Sequence, residues 1–221
     1  MKQDMKISNL VVRRLPRYHR FLNELKKSGI VRISSKELAR RMRLTASQIR
    51  QDLNCFGGFG QQGYGYNVDQ LSDEIEKILY LDKRLPAIMI GVGNLGRALS
   101  SFLYEAKGIE LIGLFDKNPR SVQDINPDLE VMNTNKLDEF CAEHHPVIAI
   151  LCIPSEHAQQ MASRLVGLGI RGFWNFSHIE LHLDPKICVE NVHLGDSLMT
   201  LGYSVNKAFE DEEKEKAETE E

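Results

Sequence analysis

The chain has 221 residues, 42% hydrophobic and 27% charged, a balance that supplies an ordinary globular core and excludes disorder throughout. At this length two compact units are expected rather than one. No apolar run approaches the roughly 18 residues of a membrane span, and Lys2, Asp4 and Lys6 precede any apolar stretch, so a cytoplasmic protein is expected. The net charge of -3 is unevenly spread. Residues 1–80 hold 15 Lys or Arg against 8 Asp or Glu, and residues 210–221 hold 8 acidic against 2 basic residues. A polyanion is therefore the expected partner of the N-terminal part.

In chain order, apolar residues recur at helical spacing between Leu10 and Leu25 through Leu15, Tyr18, Phe21 and Leu22, with Gly29 beyond as a stop. Ser34 or Ser35 can cap a second helix that buries Leu38, Ala39 and Met42. After a break at Arg43-Leu44, Thr45 caps a third, whose Ala46, Ile49 and Leu53 face inward while Ser47, Gln48, Arg50 and Gln51 face outward. Two short helices joined by a tight turn make a helix-turn-helix. Gly57 to Gly65 reads GGFGQQGYG and is followed by strand-like Tyr66 to Val68, which suits a glycine-rich wing. Leu71 to Leu81 is helical again, and the domain boundary is expected at 82–86.

Beyond it, Ala87 to Ile90 reads as a strand, Gly91 to Gly96 as a turn, and Ala98, Leu99, Phe102 and Leu103 as a helix. Ile109 to Phe115 and Val147 to Ile153 are further strands, separated by a looser region around Pro119 to Pro127 and a helix Leu137 to Glu143. Ser155 to Leu168 is a helix ended by Gly169, and Gly172 to Phe176 and Ile187 to Val189 are strands. Continuous apolar strands alternating with helices imply an α/β doubly wound parallel sheet covered on both faces. Asp196 to Phe209 carries Leu198, Leu201, Val205 and Phe209 at helical intervals, and the acidic tail 210–221 is expected to be disordered. The expected division is thus 1–82, 83–209 and 210–221.

Two groups of residues carry chemistry. Gly91-Val92-Gly93-Asn94-Leu95-Gly96 is G-x-G-x-x-G standing between a strand and a helix. There the first glycine makes the tight turn, the second lets the backbone approach a pyrophosphate, the third packs helix on strand, and the helix N-terminus attracts the anion. Asp116 ends the second strand 20 residues after Gly96, where a carboxylate accepts a hydrogen bond from a ribose 2'-hydroxyl and repels a 2'-phosphate. This favours NAD over NADP, although Lys117 beside it weakens the exclusion. The unit is a Rossmann-type domain. The second group is the outward face of the third helix with Lys36, Arg40, Arg41 and Arg43: Arg50, Gln48 and Gln51 suit base edges, and Ser47 and the cations suit phosphates.

Other chemistries have less behind them. His144, His145, His157 and His178 supply acid-base candidates for a dehydrogenase, and His157 lies just after the third major strand, yet nothing assembles around it and no room remains for a substrate domain. A subunit binding coenzyme A through the same glycine turn is a third class. No cluster has metal-ligand spacing, so no metal is expected. Cys55, Cys141, Cys152 and Cys188 read as reduced thiols, and Cys152 and Cys188 lie in apolar strand-like runs that argue against a redox switch.

Over nearly its whole length the chain resembles the Rex family of redox-sensing transcriptional repressors. The N-terminal carriers of the likeness are ISSKELA (Ile33 to Ala39), QIRQDLN (Gln48 to Asn54) and FGGFGQQGYGYNV (Phe56 to Val68). The C-terminal carriers are GVGNLGRAL (Gly91 to Leu99), IPSEHAQ (Ile153 to Gln159) and GFWNFS (Gly172 to Ser177). The resemblance implies a homodimer that binds a palindromic operator when NADH is scarce and is released by NADH, with NAD+ competing weakly. It implies an N-terminal winged helix touching DNA, to whose contacts it adds Thr45, Gln62 and Tyr64. It adds Ile153, Pro154 and Ser155 to the cofactor site, and it makes Asp196 to Phe209 a helix swapped into the partner. Relatives couple nicotinamide state to domain orientation through an arginine, a tyrosine and an aspartate. Arg20 fits the first, Phe102 and His193 stand at the other two positions, and Asp196 beside Leu194 is another candidate for the acid. Gln51 and Gln62 stand where relatives carry basic residues.

Overall fold

The computed structural model describes residues 8–55, 60–61, 64–119 and 129–219, and the chain divides into two compact units, Met1–Arg84 and Leu85–Glu221.

The first unit opens with α1 (Asn9–Val12) and α2 (Leu15–Lys27). The periodicity from Leu10 to Leu25 predicts one helix, and the structure breaks it at Arg13-Arg14. Pro16 is the reason: in a continuous helix its ring would clash with the carbonyl of Val12, whereas in a first turn its missing N–H costs nothing. Next come β1 (Arg32–Ile33), α3 (Ser35–Met42), α4 (Ala46–Asn54), β2 (Gly60–Gln61), β3 (Gly65–Asn67) and α5 (Val68–Ile78). Ser34 caps α3 and Thr45 caps α4, each side-chain oxygen accepting from the backbone N–H three residues on. Arg43 takes the left-handed conformation, with φ of 51°, that turns the chain between them. Leu15, Tyr18, Leu22 and Leu25 of α2 close over Leu38, Met42, Ile49, Leu53, Leu71 and Ile75 in one core.

The wing is a three-stranded antiparallel sheet ordered β1-β3-β2. β1 is too short to show a period in the sequence and was not expected from it. Gly65 has φ of +72°, and a Cβ there would strike the Ile33 carbonyl, so the close approach of β3 to β1 requires glycine. Phe56 to Phe59, Gln62 and Gly63 lie outside the described residues.

The second unit is built on β4 (Leu85–Ile90), α6 (Asn94–Tyr104), β5 (Ile109–Asp116), β6 (Val131–Asn133), α7 (Leu137–His144), β7 (Ile148–Leu151), α8 (Ser155–Gly167), β8 (Gly172–Asn175) and β9 (Cys188–Asn191). The six strands run parallel in the order β6-β5-β4-β7-β8-β9. β6 falls in a stretch with no apolar run to announce it, just past the region read as loose. Both faces of the sheet are covered. Ile88 and Ile90 pack with Phe115, Ala149 and Leu151 on one side, while Ala87 and Met89 pack with Leu114 and Ile150 on the other. This double burial explains why the strands read as unbroken apolar runs.

Three sequence expectations change here. α9 runs from Leu194 to Thr219, so the helix does not end at Phe209, and the tail expected to be disordered is helical as far as Thr219. Glu, Lys and Ala are strong helix formers, and Lys207 pairs with Asp211 one turn ahead at 2.9 Å. Cys188, expected within an apolar run, is exposed on the sheet edge, and Cys152 alone of that pair is part-buried. On α6, Leu99 and Leu103 turn inward as the period predicts, but Ala98 and Phe102 face solvent, Phe102 with 63% of its surface.

Candidate functional site: a dinucleotide crevice and a helix-turn-helix face

In the second unit the chain builds outward from β4 through β5 to β6, then returns to place β7 on the other side of β4. Loops leaving β4 and β7 therefore diverge, and the crevice between them is where open parallel sheets bind ligands. Gly91–Gly96 follows β4, and Cys152 to Ser155 follows β7. The three glycines of the turn differ in what they tolerate. Gly91 has φ of +90° and a Cβ on it would strike the Cys152 carbonyl; a Cβ on Gly96 would strike the Gly91 carbonyl; a Cβ on Gly93 would meet nothing within 4 Å. Gly91 and Gly96 are thus held by packing, while Gly93 leaves open space above the turn where a ligand's backbone-bound group can lie.

That space faces donors. α6 begins at Asn94 with Gly93 as its cap and no side chain accepting from its first amides, and α8 begins at Ser155 with Pro154 as its cap and likewise no side-chain acceptor. Two helices of 11 and 13 residues therefore present N-terminal N–H groups that no side-chain cap covers on the same edge of the sheet. Asp116, half-buried at the end of β5, accepts from the Val92 N–H at 2.8 Å and the Asn118 N–H at 2.9 Å. It is fixed beside the glycine turn, and a carboxylate has about four lone-pair positions, so capacity remains for a hydroxyl donor. Lys117 next to it is exposed. Leu95 is half-buried under the turn and Val92 is buried within it. These features fit an adenine dinucleotide: a pyrophosphate has the amides, and a ribose has the acid.

The alternative chemistries find little support in the same crevice. Burial pushes the Cys152 thiol up to about 12, which keeps it protonated and unreactive near neutral pH. His157 is exposed on α8, and among the described residues no group of three His, Cys, Asp or Glu could hold a metal ion. His193 is half-buried just before α9, its Nε2 3.5 Å from Glu180 Oε1 and its ring stacked 6.1 Å from that of His178. Leu194 and Asp196 are exposed in the first turn of α9. Arg20 belongs to the first unit, where its guanidinium lies 5.8 Å from the Phe21 ring.

The face of α3 and α4 carries the other nominated residues. Lys36, Arg43, Thr45, Ser47, Arg50 and Gln51 are all exposed there, and Tyr64 is exposed beside β3. Gln62 lies outside the described residues. Glu37 takes both Arg40 and Arg41, and the two guanidiniums bring its carboxyl down to about 2. Those arginines are thereby less available than Lys36, Arg43 and Arg50. Arg50 donates to Ser35 Oγ at 3.2 Å, tying the two helices together across the exposed face.

Gln48 departs from the outward set. It is half-buried, and its Nε2 donates to Asp52 Oδ1 at 2.8 Å. Asp52, which is not among the residues expected from the sequence to carry chemistry, is fully buried on α4. Arg14 grips it with both Nε and Nη2 at 2.7 Å, and Tyr18 donates its hydroxyl at 2.9 Å. A signal for it existed: Asp52 stands three residues after Ile49 and one before Leu53, on the buried side of an amphipathic helix where a carboxylate must find donors.

Comparison with known proteins agrees with both halves. The family described as "Putative DNA-binding protein N-terminus" matches residues 6–54, and the one described as "CoA binding domain" matches residues 82–179. The redox-sensing transcriptional repressor Rex of Caldanaerobacter subterraneus subsp. tengcongensis is 55% identical, over 91% of this chain and 90% of that one. The protein of the same name from Thermoanaerobacter pseudethanolicus is 51% identical, over 94% and 93%. Among solved structures, RSP in complex with beta-NAD+ and operator DNA superposes with a TM-score of 0.84 at 50% identity, covering 94% of this chain and 96% of that one. RSP with beta-NADH gives 0.85 at 47% identity, covering 94% and 98%. With relatives of that name 55% and 51% identical over more than nine-tenths of its length, the chain belongs to the Rex family of redox-sensing transcriptional repressors.

Proposed function

We propose that this chain is a DNA-binding repressor, not an enzyme, that senses the balance of NADH and NAD+ and releases its operator when NADH binds. The observation that carries the cofactor half is the pairing of an open glycine at position 93 with Asp116 fixed beside it, at the point where the strand order reverses. Gly91 to Gly96 and the helix start at Ile153, Pro154 and Ser155 hold the pyrophosphate, and Asp116, with Lys117 adjacent, holds the adenosine ribose. The nicotinamide supplies the redox signal. Support for the coenzyme A reading comes from the glycine turn, which both ligand classes share, and from the description of the family matched by residues 82–179; against it, the Asp116 carboxylate would face the 3'-phosphate beside the 2'-hydroxyl of coenzyme A, where like charges repel.

For DNA, Arg50, Gln48 and Gln51 read base edges, and Lys36, Arg43, Thr45, Ser47, Gln62 and Tyr64 contact the backbone. The protein acts as a homodimer on a palindromic operator in the cytoplasm. The dimer is supported by α9, whose Leu194, Leu198, Leu201, Val205 and Phe209 are all exposed along one long helix. Relatives' names and bound ligands support repression and both nicotinamide forms. Phe102, Arg20, His193, Leu194 and Asp196 are the set through which the nicotinamide state acts. Fluorescence titration of NADH and anisotropy of a labelled duplex test this reading together. A repressor binds both without consuming NADH; a hydride-transfer enzyme oxidises NADH with some substrate and ignores the duplex.

A further inference from the structure

The geometry points to Asp52 as a positioning residue that fixes the amide of Gln48 in one orientation and thereby sets which base edge Gln48 can read. The inference rests on the DNA-reading role of α4 and deepens it.

Asp52 never reaches solvent. Its four lone-pair positions meet four donors: Arg14 Nε and the Tyr18 hydroxyl on Oδ2, Arg14 Nη2 and Gln48 Nε2 on Oδ1. Burial pushes the carboxyl up, but the hydrogen bonds from Arg14, Gln48 and Tyr18 outweigh it and hold the group below its ordinary range, so it is ionised and accepts only. A carboxylate cannot face an amide oxygen. Turning the Gln48 amide over would set Oε1 against Oδ1 and remove a donor from a buried charge, the costlier half of breaking a hydrogen bond. The nitrogen edge therefore stays toward Asp52, leaving Oε1 and the second Nε2 hydrogen of Gln48 unclaimed.

One acceptor beside one donor is the pattern that meets adenine N6 and N7 in the major groove. Guanine presents two acceptors there, O6 and N7, and suits an amide free to turn its nitrogen outward. Asp52 thus favours an A·T pair at the Gln48 position without touching DNA. Arg14, the residue before α2, and Tyr18 on α2 anchor the carboxylate from outside the helix-turn-helix.

Selection of binding sites from a randomised duplex library tests this, using the full-length protein and its Gln48→Ala, Asp52→Asn and Gln48→Ala/Asp52→Asn variants. An asparagine at 52 offers either an oxygen or a nitrogen, so the Gln48 amide can turn. The expected result is a loss of adenine-over-guanine preference of about tenfold at one position per half-site in Asp52→Asn. No further change at that position is expected when Asp52→Asn is added to Gln48→Ala, and NADH affinity should be unaltered. Should Asp52→Asn fail to fold, Arg14→Gln/Asp52→Asn removes both charges together and leaves none unpaired. A uniform drop in affinity with the wild-type preference intact means that Asp52 only supports the fold, and overturns the inference. An unchanged preference in Gln48→Ala means that Gln48 reads no base, and overturns the underlying reading with it.

Discussion

Gly93 and Gly96 look equivalent in a motif, yet their surroundings assign them opposite sensitivities. A side chain at Gly93 enters open space above the glycine turn, whereas one at Gly96 drives into the Gly91 carbonyl. Gly93→Val should therefore keep the second unit folded and weaken NADH at least tenfold, about 1.4 kcal/mol, with operator affinity in the absence of NADH unchanged. Gly96→Val should instead lower the unfolding midpoint itself. Calorimetric titration beside a thermal melt separates the two, and an unaltered NADH affinity in folded Gly93→Val would contradict the site. Arg50 and Lys36 divide likewise on the DNA side. Arg50→Ala should cost roughly 1 to 3 kcal/mol of discrimination at one base pair per half-site. Lys36→Ala should weaken all duplexes alike and flatten the salt dependence, which affinity measured against salt on two duplexes distinguishes.

Helices and their anchors decide the behaviour at the next scale. The Asp52 carboxyl lies below its unfolded value, so its contribution to stability is present above the ordinary carboxyl range, about 3.9, and is lost as pH falls through the depressed folded value. Tyr18 behaves oppositely: burial and then the Asp52 hydrogen bond raise it, so its contribution is present below about 10 and lost only in stronger alkali. Denaturant unfolding at pH 7 and near pH 2 should show a steeper acid loss in the wild-type protein than in Asp52→Asn. Asp52→Ala should cost about 3 kcal/mol at pH 7, toward the low end for a broken buried pair because Arg14 keeps some contact with water. α9 calls for a different measurement. A charge in its apolar stripe, as in Leu201→Asp, should weaken the proposed dimer by about 3 kcal/mol or more, since its two-fold symmetry would count the site twice. Sedimentation that still reports a dimer would place the interface elsewhere.

What the sequence disclosed follows the strength of its local signals. The caps at Ser34 and Thr45, the glycine turn and the inward stripe of α4 are written in adjacent residues, and each lies where it was expected. β1 and β6 have two and three residues and carry no period of their own, since pairing with β3 and β5 creates them. The break before Pro16 was legible, but the apolar spacing across it is stronger than the proline signal. The role of Asp52 depends on Arg14 and Tyr18, more than thirty residues away in sequence, and no local pattern announces such a partnership. The tail illustrates the reverse error: acidic composition argues for disorder, yet the same residues are good helix formers extending a helix already begun at Leu194.

For the molecule as a whole, release by NADH requires that NADH prefer the arrangement that does not fit DNA. A symmetric dimer reads two half-sites only when its recognition helices stand one helical turn or a multiple apart, roughly 34 to 36 Å per turn. Converting a population from 1:99 to 99:1 takes about 5.5 kcal/mol of differential binding, and binding both arrangements equally would change nothing however tight it were. In the proposed homodimer two equivalent cofactor sites share that requirement. The sharpest measurement is anisotropy of a fluorescent duplex, recovered by selection with the wild-type protein, under saturating NAD+ and then with NADH added stepwise. The duplex should stay bound with NAD+ and be released by NADH, and Gly93→Val should hold it throughout; a duplex affinity identical under saturating NADH and saturating NAD+ would overturn redox sensing by this chain.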